Sequence, residues 1–107
     1  MVPARYRAGH VTGEFAFVER LRARFPLVGD DCAVVDGLLL ATDVAVEGVD
    51  VPEGAACALG RKAVTANVSD VAAMGGRPRH LLVGIAAPRG TDLDGLVDAV
   101  ADEARSY

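Results

Sequence analysis

Tryptophan is absent from the 107 residues, and two Tyr and three Phe are the only aromatic side chains. A surface that binds nucleic acid by stacking bases on aromatic rings therefore has almost no material. Positive charge is scarce too. Eleven Lys and Arg stand against 15 Asp and Glu, a net charge of -4, which argues against broad binding to a phosphate backbone and excludes bulk nucleic acid as an expected partner. Cysteine is limited to Cys32 and Cys57, without CxxC spacing, so neither a zinc site nor a disulfide framework is expected and a reduced, cytoplasmic chain is the default. No window reaches the roughly 18 apolar residues of a membrane span, and the start, with Arg5, Arg7 and His10, lacks the apolar core of an export signal.

What is present suffices for one small core. Hydrophobic residues make up 51% and charged residues 24%, the composition of a chain that folds. Residues 1–12 show no periodicity and read as an arm, with one domain expected over 13–107. Phe15, Val18, Leu21 and Phe25 recur at helical spacing, and Pro26 ends that helix because the residue before a proline is pushed out of the helical region. Cys32 to Val35 is a short apolar run, Asp36-Gly37 a hairpin signal, and Leu38 to Thr42 a buried strand. Ala55 to Met74 reads as the longest helix, stopped by Gly75-Gly76 and Pro78. His80 to Ala87 is a third apolar run of strand length. Thr91-Asp92-Leu93-Asp94 resembles a capping box opening a last helix that runs to Tyr107. With neither a glycine stop nor a following strand, that helix reads as cut from a longer protein.

The expected fold is α+β, a small sheet backed by helices on one face. Three strands leave two exposed edges whose unpaired backbone groups favour pairing with another chain, so self-association is expected.

Carboxylates stand at element ends: Asp30-Asp31 before the first strand, Asp43 after the second, Asp50 in the next loop and Asp70 within the long helix. Clustered carboxylates repel unless neutralised, and hard oxygen ligands suit Mg²⁺, which also recruits substrate phosphates. Each Asp alone also reads as a turn residue. Asp70 shares a helix face with Asn67 and Met74, where an unpaired charge on a packed face is costly. Lys62, the only lysine, either reaches a phosphate or is solvated. His10 and His80 have no partners at catalytic spacing, and Ser69 and Thr65 have no nearby base.

The strings Gly29-Asp30-Asp31-Cys32-Ala33, Thr42-Asp43-x-x-Val46-Glu47-Gly48-Val49, Gly60-Arg61-Lys62-Ala63 and Asn67-Val68-Ser69-Asp70-Val71-Ala72-Ala73-Met74-Gly75-Gly76-x-Pro78, after Gly13-Glu14-Phe15, are carried in order and spacing across residues 13 to 90. They resemble the N-terminal domain of thiamine-monophosphate kinases, in a superfamily with aminoimidazole ribonucleotide synthetase and selenophosphate synthetase. The resemblance implies an ATP- and Mg²⁺-dependent enzyme that makes thiamine diphosphate and ADP from thiamine phosphate and ATP. It also implies a homodimer whose N-terminal sheets join into a barrel. The family's metal ligands map onto Asp31, Thr42, Asp43 and Asp70, with Asp30 beside them and Ala41 where the family often has Thr or Ser. Such a site would work by positioning and electrostatics, with no covalent intermediate.

Two departures bear on function. Where the family typically reads Glu-Gly-x-His-Phe, this chain has Glu47-Gly48-Val49-Asp50-Val51, which places Asp50 where the imidazole would face the substrate. The family's second domain is also missing from these residues, so the chain alone is expected to be inactive. Two alternatives accompany the kinase reading. One is an ATP-dependent superfamily relative acting on another small substrate. The other is a non-catalytic dimerisation module.

Overall fold

The computed structural model describes residues 13–27 and 30–107; the expected arm over 1–12 lies outside them. Helix α1 spans Glu14–Arg24. Phe25 follows it in extended conformation (φ -127°, ψ 100°), as the residue before Pro26 must. No residue of α1 is buried, and Phe15 at its start is 87% exposed. The apolar face expected for this helix therefore has no covering layer among the described residues.

Strands β1 (Ala33–Val35) and β2 (Leu38–Leu40) form an antiparallel pair in the register Ala33–Leu40, Val34–Leu39, Val35–Leu38. The loop is two residues long, and Asp36 (φ 49°) and Gly37 (φ 77°) both adopt positive φ. A primed turn requires this, and Asp-Gly supplies it cheaply. β2 is shorter than the expected 38–42 segment.

Helix α2 (Ala56–Ala73) is the longest element. It ends as Gly75-Gly76 implies: Gly75 turns left-handed (φ 72°), its N–H reaches the Ala72 carbonyl at 2.9 Å, and the Gly76 N–H reaches the Val71 carbonyl at 3.0 Å. These two bonds satisfy carbonyls the helix would otherwise leave open. Beyond it, Leu39 Cδ1 occupies the place a Gly76 Cβ would take, so this glycine brings the end of α2 against the hairpin.

Helix α3 (Leu93–Ala104) is capped by Asp92, whose Oδ1 accepts from the Gly95 N–H at 2.9 Å. The capping signal therefore sits one residue later than a box beginning at Thr91; the Thr91 hydroxyl instead donates to the Pro88 carbonyl at 2.7 Å. The helix also ends before Tyr107, at Ala104, with Arg105 as its C-cap. Much of the core lies on α2 and α3, where Gly60 approaches Leu96 and Ala99 and Val64, Leu96 and Ala99 are buried; Cys32 and Val51 are the other buried apolar residues among those described.

The architecture is α+β, a two-stranded antiparallel sheet with three helices. The third strand expected over His80–Ala87 does not form: the segment carries no sheet pairing, and Leu82 is 99% exposed. β1 and β2 pair with each other, and an apolar run becomes a strand only when a neighbour completes its ladder. Here it finds none among the described residues.

Candidate functional site

Asp30 and Asp31 sit immediately before β1, held in a local turn in which the Asp31 N–H donates to Asp30 Oδ1 at 2.9 Å. The next residue, Cys32, is 3% exposed. Burial, and then the negative charges of Asp70, Asp31 and Asp30, push its thiol above the ordinary value of 9.0. Asp70, on the C-terminal half of α2, and Asp30-Asp31, at the entry to the hairpin, all act electrostatically on this one side chain although about 40 residues separate them.

Thr42 and Asp43 lie just past β2, at the same open end of the hairpin as Asp30-Asp31 by the strand register, and both are exposed. Asp43 Oδ1 accepts from the Val44 N–H at 2.7 Å, and Asp43 is not among the charges acting on Cys32. Among the described residues no three His, Cys, Asp or Glu side chains stand together in a way that could hold a metal ion. The donor chemistry nonetheless fits magnesium: these are hard carboxylate oxygens, and Mg²⁺ commonly takes only one or two from the protein and completes its shell with water and phosphate.

Asp43 borders a cavity of about 850 Å³ between the 43–47 segment, the helix pair and the uncovered 81–88 run. Its walls are mostly apolar, from Leu59, Val64, Leu81 and Ile85, with Asn67 and Glu53 among the polar contributors. Asn67 Nδ2 donates to the Ala63 carbonyl one turn back at 2.9 Å, which fixes its amide within the helix.

Asp50 belongs to a tightly bonded loop, residues 46–54, on the rim of the cavity. Its carboxylate accepts from the Val46 N–H at 2.7 Å, and its carbonyl accepts from Lys62 Nζ at 2.9 Å. Lys62 is therefore engaged with this loop, a role that neither of its expected alternatives covered, because nothing in spacing alone pairs residue 62 with residue 50.

The two thiols differ in a measurable way. Both are free, Cys32 buried and Cys57 exposed, so iodoacetamide at pH 8 is expected to alkylate Cys57 first and Cys32 only slowly. Labelling of Cys32 should accelerate as pH rises. The raised value means the folded chain holds this proton more tightly than the unfolded chain does, so its contribution to stability is complete below about 9 and lost as pH climbs through the folded value. Mass spectrometry of the alkylated peptides checks both statements.

Comparison with known proteins gives the family of the chain. The family model for AIR synthase related protein, N-terminal domain, matches residues 29–107. The thiamine-monophosphate kinase of Aquifex aeolicus is 39% identical over 87 residues, 71% of this chain and 27% of that protein. The thiamine-monophosphate kinase of Pyrococcus horikoshii is 36% identical over 88 residues, 75% of this chain and 28% of that protein. That of Synechococcus elongatus is 35% identical over 85 residues, 71% and 26% respectively. No solved structure matches. The chain thus spans about a quarter of the length of these curated relatives. With the model covering most of the chain, hairpin through last helix, this protein belongs to the AIR synthase related family through its N-terminal domain.

Proposed function

We infer that the chain is the N-terminal part of an ATP- and Mg²⁺-dependent kinase that converts thiamine monophosphate to thiamine diphosphate. The observation that carries this reading is the similarity to thiamine-monophosphate kinases at 35 to 39% identity through the hairpin and long helix, the two elements that bear the acidic residues. In the full-length enzyme the terminal phosphoryl group of ATP passes to the phosphate of the acceptor and ADP leaves. Asp30, Asp31, Thr42, Asp43 and Asp70 would hold Mg²⁺, which when bound offsets the negative charge of the phosphates. The chain's own part is positional. The hairpin carries Asp30-Asp31 and Thr42-Asp43 at its open end, one pair beside each strand, α2 presents Asp70, and the apolar cavity walls would exclude water from an acceptor seated beside them.

Two copies are proposed to associate through the uncovered apolar segment and the hairpin edges. Leu82 at 99% exposure and the half-exposed Val34, Leu38 and Leu40 form the surface that a partner's sheet would bury. No helix among the described residues is long and apolar enough to cross a membrane, and with both thiols free the reading places the enzyme in the cytoplasm. One feature favours a second reading, a superfamily relative with a different small acceptor: Asp50-Val51 stand where the kinases commonly have His-Phe.

The test uses the full-length protein with ATP, Mg²⁺ and thiamine monophosphate. Thiamine diphosphate should form, and chelation of Mg²⁺ should stop it; sedimentation at micromolar protein should give a dimer. Mg²⁺-dependent ADP release that ignores thiamine monophosphate moves the assignment to the superfamily relative. A protein without ATP turnover for any phosphorylated acceptor is the dimerisation module.

A further inference from the structure

We propose that Lys62 is a positioning residue for acceptor binding, which latches the 46–54 loop to α2, and that Asp50 acts on the acceptor only through the loop it holds. The kinetic half of this inference rests on the phosphoryl-transfer reading; the latch rests on geometry alone.

Asp50 is bonded at three of its polar groups. Its N–H donates to the Val46 carbonyl at 2.8 Å, its carboxylate accepts from the Val46 N–H at 2.7 Å, and its carbonyl accepts from Lys62 Nζ at 2.9 Å. The rest of the loop is closed in the same manner. The Gly48 N–H donates to the Val51 carbonyl at 2.7 Å, and the Gly54 N–H donates to the Glu47 carboxylate. Glu47 and Val51 also form an isolated bridge, and Val51 is buried. A loop whose side-chain carboxylates serve its own backbone is preorganised. Among the described residues it is tied to α2 by the Ala55 N–H, which donates to the Pro52 carbonyl at 3.2 Å next to the loop's own end, and by a side chain in the second turn of the helix, the single lysine of the chain, on a helix that is packed against α3.

The position of the loop gives this bonding a function. Val46, Glu47, Glu53 and Gly54 line the cavity rim, while Val49 at the tip is 80% exposed and Gly48 turns beside it with φ 82°. A carboxylate turned onto the Val46 N–H is held by its own loop, so the loop offers the acceptor a fixed edge at Val46, Glu47, Glu53 and Gly54. Fixing it before binding removes an ordering cost from the association step, and a charge-assisted bond from Lys62 is suited to that task.

The experiment compares Lys62→Met, Lys62→Arg and Asp50→Ala with wild type in the full-length protein, by hydrogen exchange and by kinetics. Lys62→Met and Asp50→Ala should speed amide exchange in peptides covering 46–54 about tenfold and leave the α2–α3 core, around Val64 and Leu96, unchanged. The KM for thiamine monophosphate should rise about tenfold in step with exchange, while kcat stays within about twofold and the KM for ATP is unaltered. Lys62→Arg, which keeps a cationic donor, should return both readouts toward wild type. Wild-type exchange in Lys62→Met overturns the latch. A raised KM in Asp50→Ala with wild-type exchange overturns the indirect role of Asp50 and makes it a direct acceptor contact. If the wild-type protein does not turn over thiamine monophosphate at all, the kinase reading fails while the exchange result still decides the latch.

Discussion

Gly60→Leu is expected to destabilise the protein by about 3 kcal/mol or more, the largest loss of any single substitution between α2 and α3. A Cβ at position 60 would stand 2.9 Å from the Leu96 carbonyl oxygen, 3.1 Å from the Ala99 Cβ and 3.3 Å from Val100 Cγ2. The first of these is backbone and cannot rotate away, so the helices must separate. Separation exposes Val64, Leu96 and Ala99, three of the five buried apolar side chains among the described residues, and there is little other core to absorb the shift. Gly60→Ala sets two effects against each other. Alanine in a helix interior gains roughly 1 kcal/mol over glycine by propensity, but the contact with the Leu96 carbonyl requires a backbone displacement, and the balance is expected to be a net loss of about 1 kcal/mol. Gly84→Ala is the control: nothing lies within 4 Å of its Cβ position, so its effect should stay within about 0.5 kcal/mol. Urea unfolding monitored by circular dichroism measures all three. A Gly60→Ala variant more stable than wild type would show that the helices slide apart without cost and that propensity governs this position.

The contrast between Gly60 and Gly84 also shows what can be read from the chain and what cannot. Helical periodicity and Pro26 bounded α1, Asp36-Gly37 placed the hairpin turn, and Gly75-Gly76 ended α2, because in each case the determining chemistry is local. The reason for Gly60 lies in α3, some 36 residues away, and no local pattern carries it. His80–Ala87 failed as a strand for the same cause in reverse. Its composition suits a ladder, but a ladder needs a second backbone, and none of the described residues supplies one. In the site, the acidic strings marked residues one by one, and among the described residues no three acidic, His or Cys side chains stand together as a metal site; which carboxylates meet is set by tertiary packing that the strings do not encode. The bond from Lys62 to the Asp50 carbonyl was invisible because its acceptor is main chain, and backbone acceptors leave no residue-type signature.

Asp43→Asn in the full-length protein is expected to cut Mg²⁺-dependent ATP turnover on the order of a thousandfold while leaving the fold intact. The structural half follows from the bond this side chain makes among the described residues. Asp43 Oδ1 accepts from the Val44 N–H at 2.7 Å, and an asparagine carbonyl oxygen accepts that bond equally well; the residue is exposed, so stability should change by less than about 0.5 kcal/mol. The kinetic half follows from the proposed role. The substitution conserves size and removes one negative charge and one hard ligand oxygen, and where that oxygen helps hold a cation against the transferring phosphoryl group, its loss weakens the transition state more than the ground state. A thousandfold corresponds to about 4 kcal/mol, within the range a lost metal contact removes. Asp43→Ala separates the two halves, since it loses the Val44 bond as well and should lower stability slightly without falling much further in rate. Raising Mg²⁺ should recover part of the Asp43→Asn turnover if the damage is to affinity for the ion, and none if it is to geometry. Wild-type turnover in Asp43→Asn would remove this residue from the proposed site and leave Asp30, Asp31 and Asp70 as the carboxylates proposed to handle the phosphates.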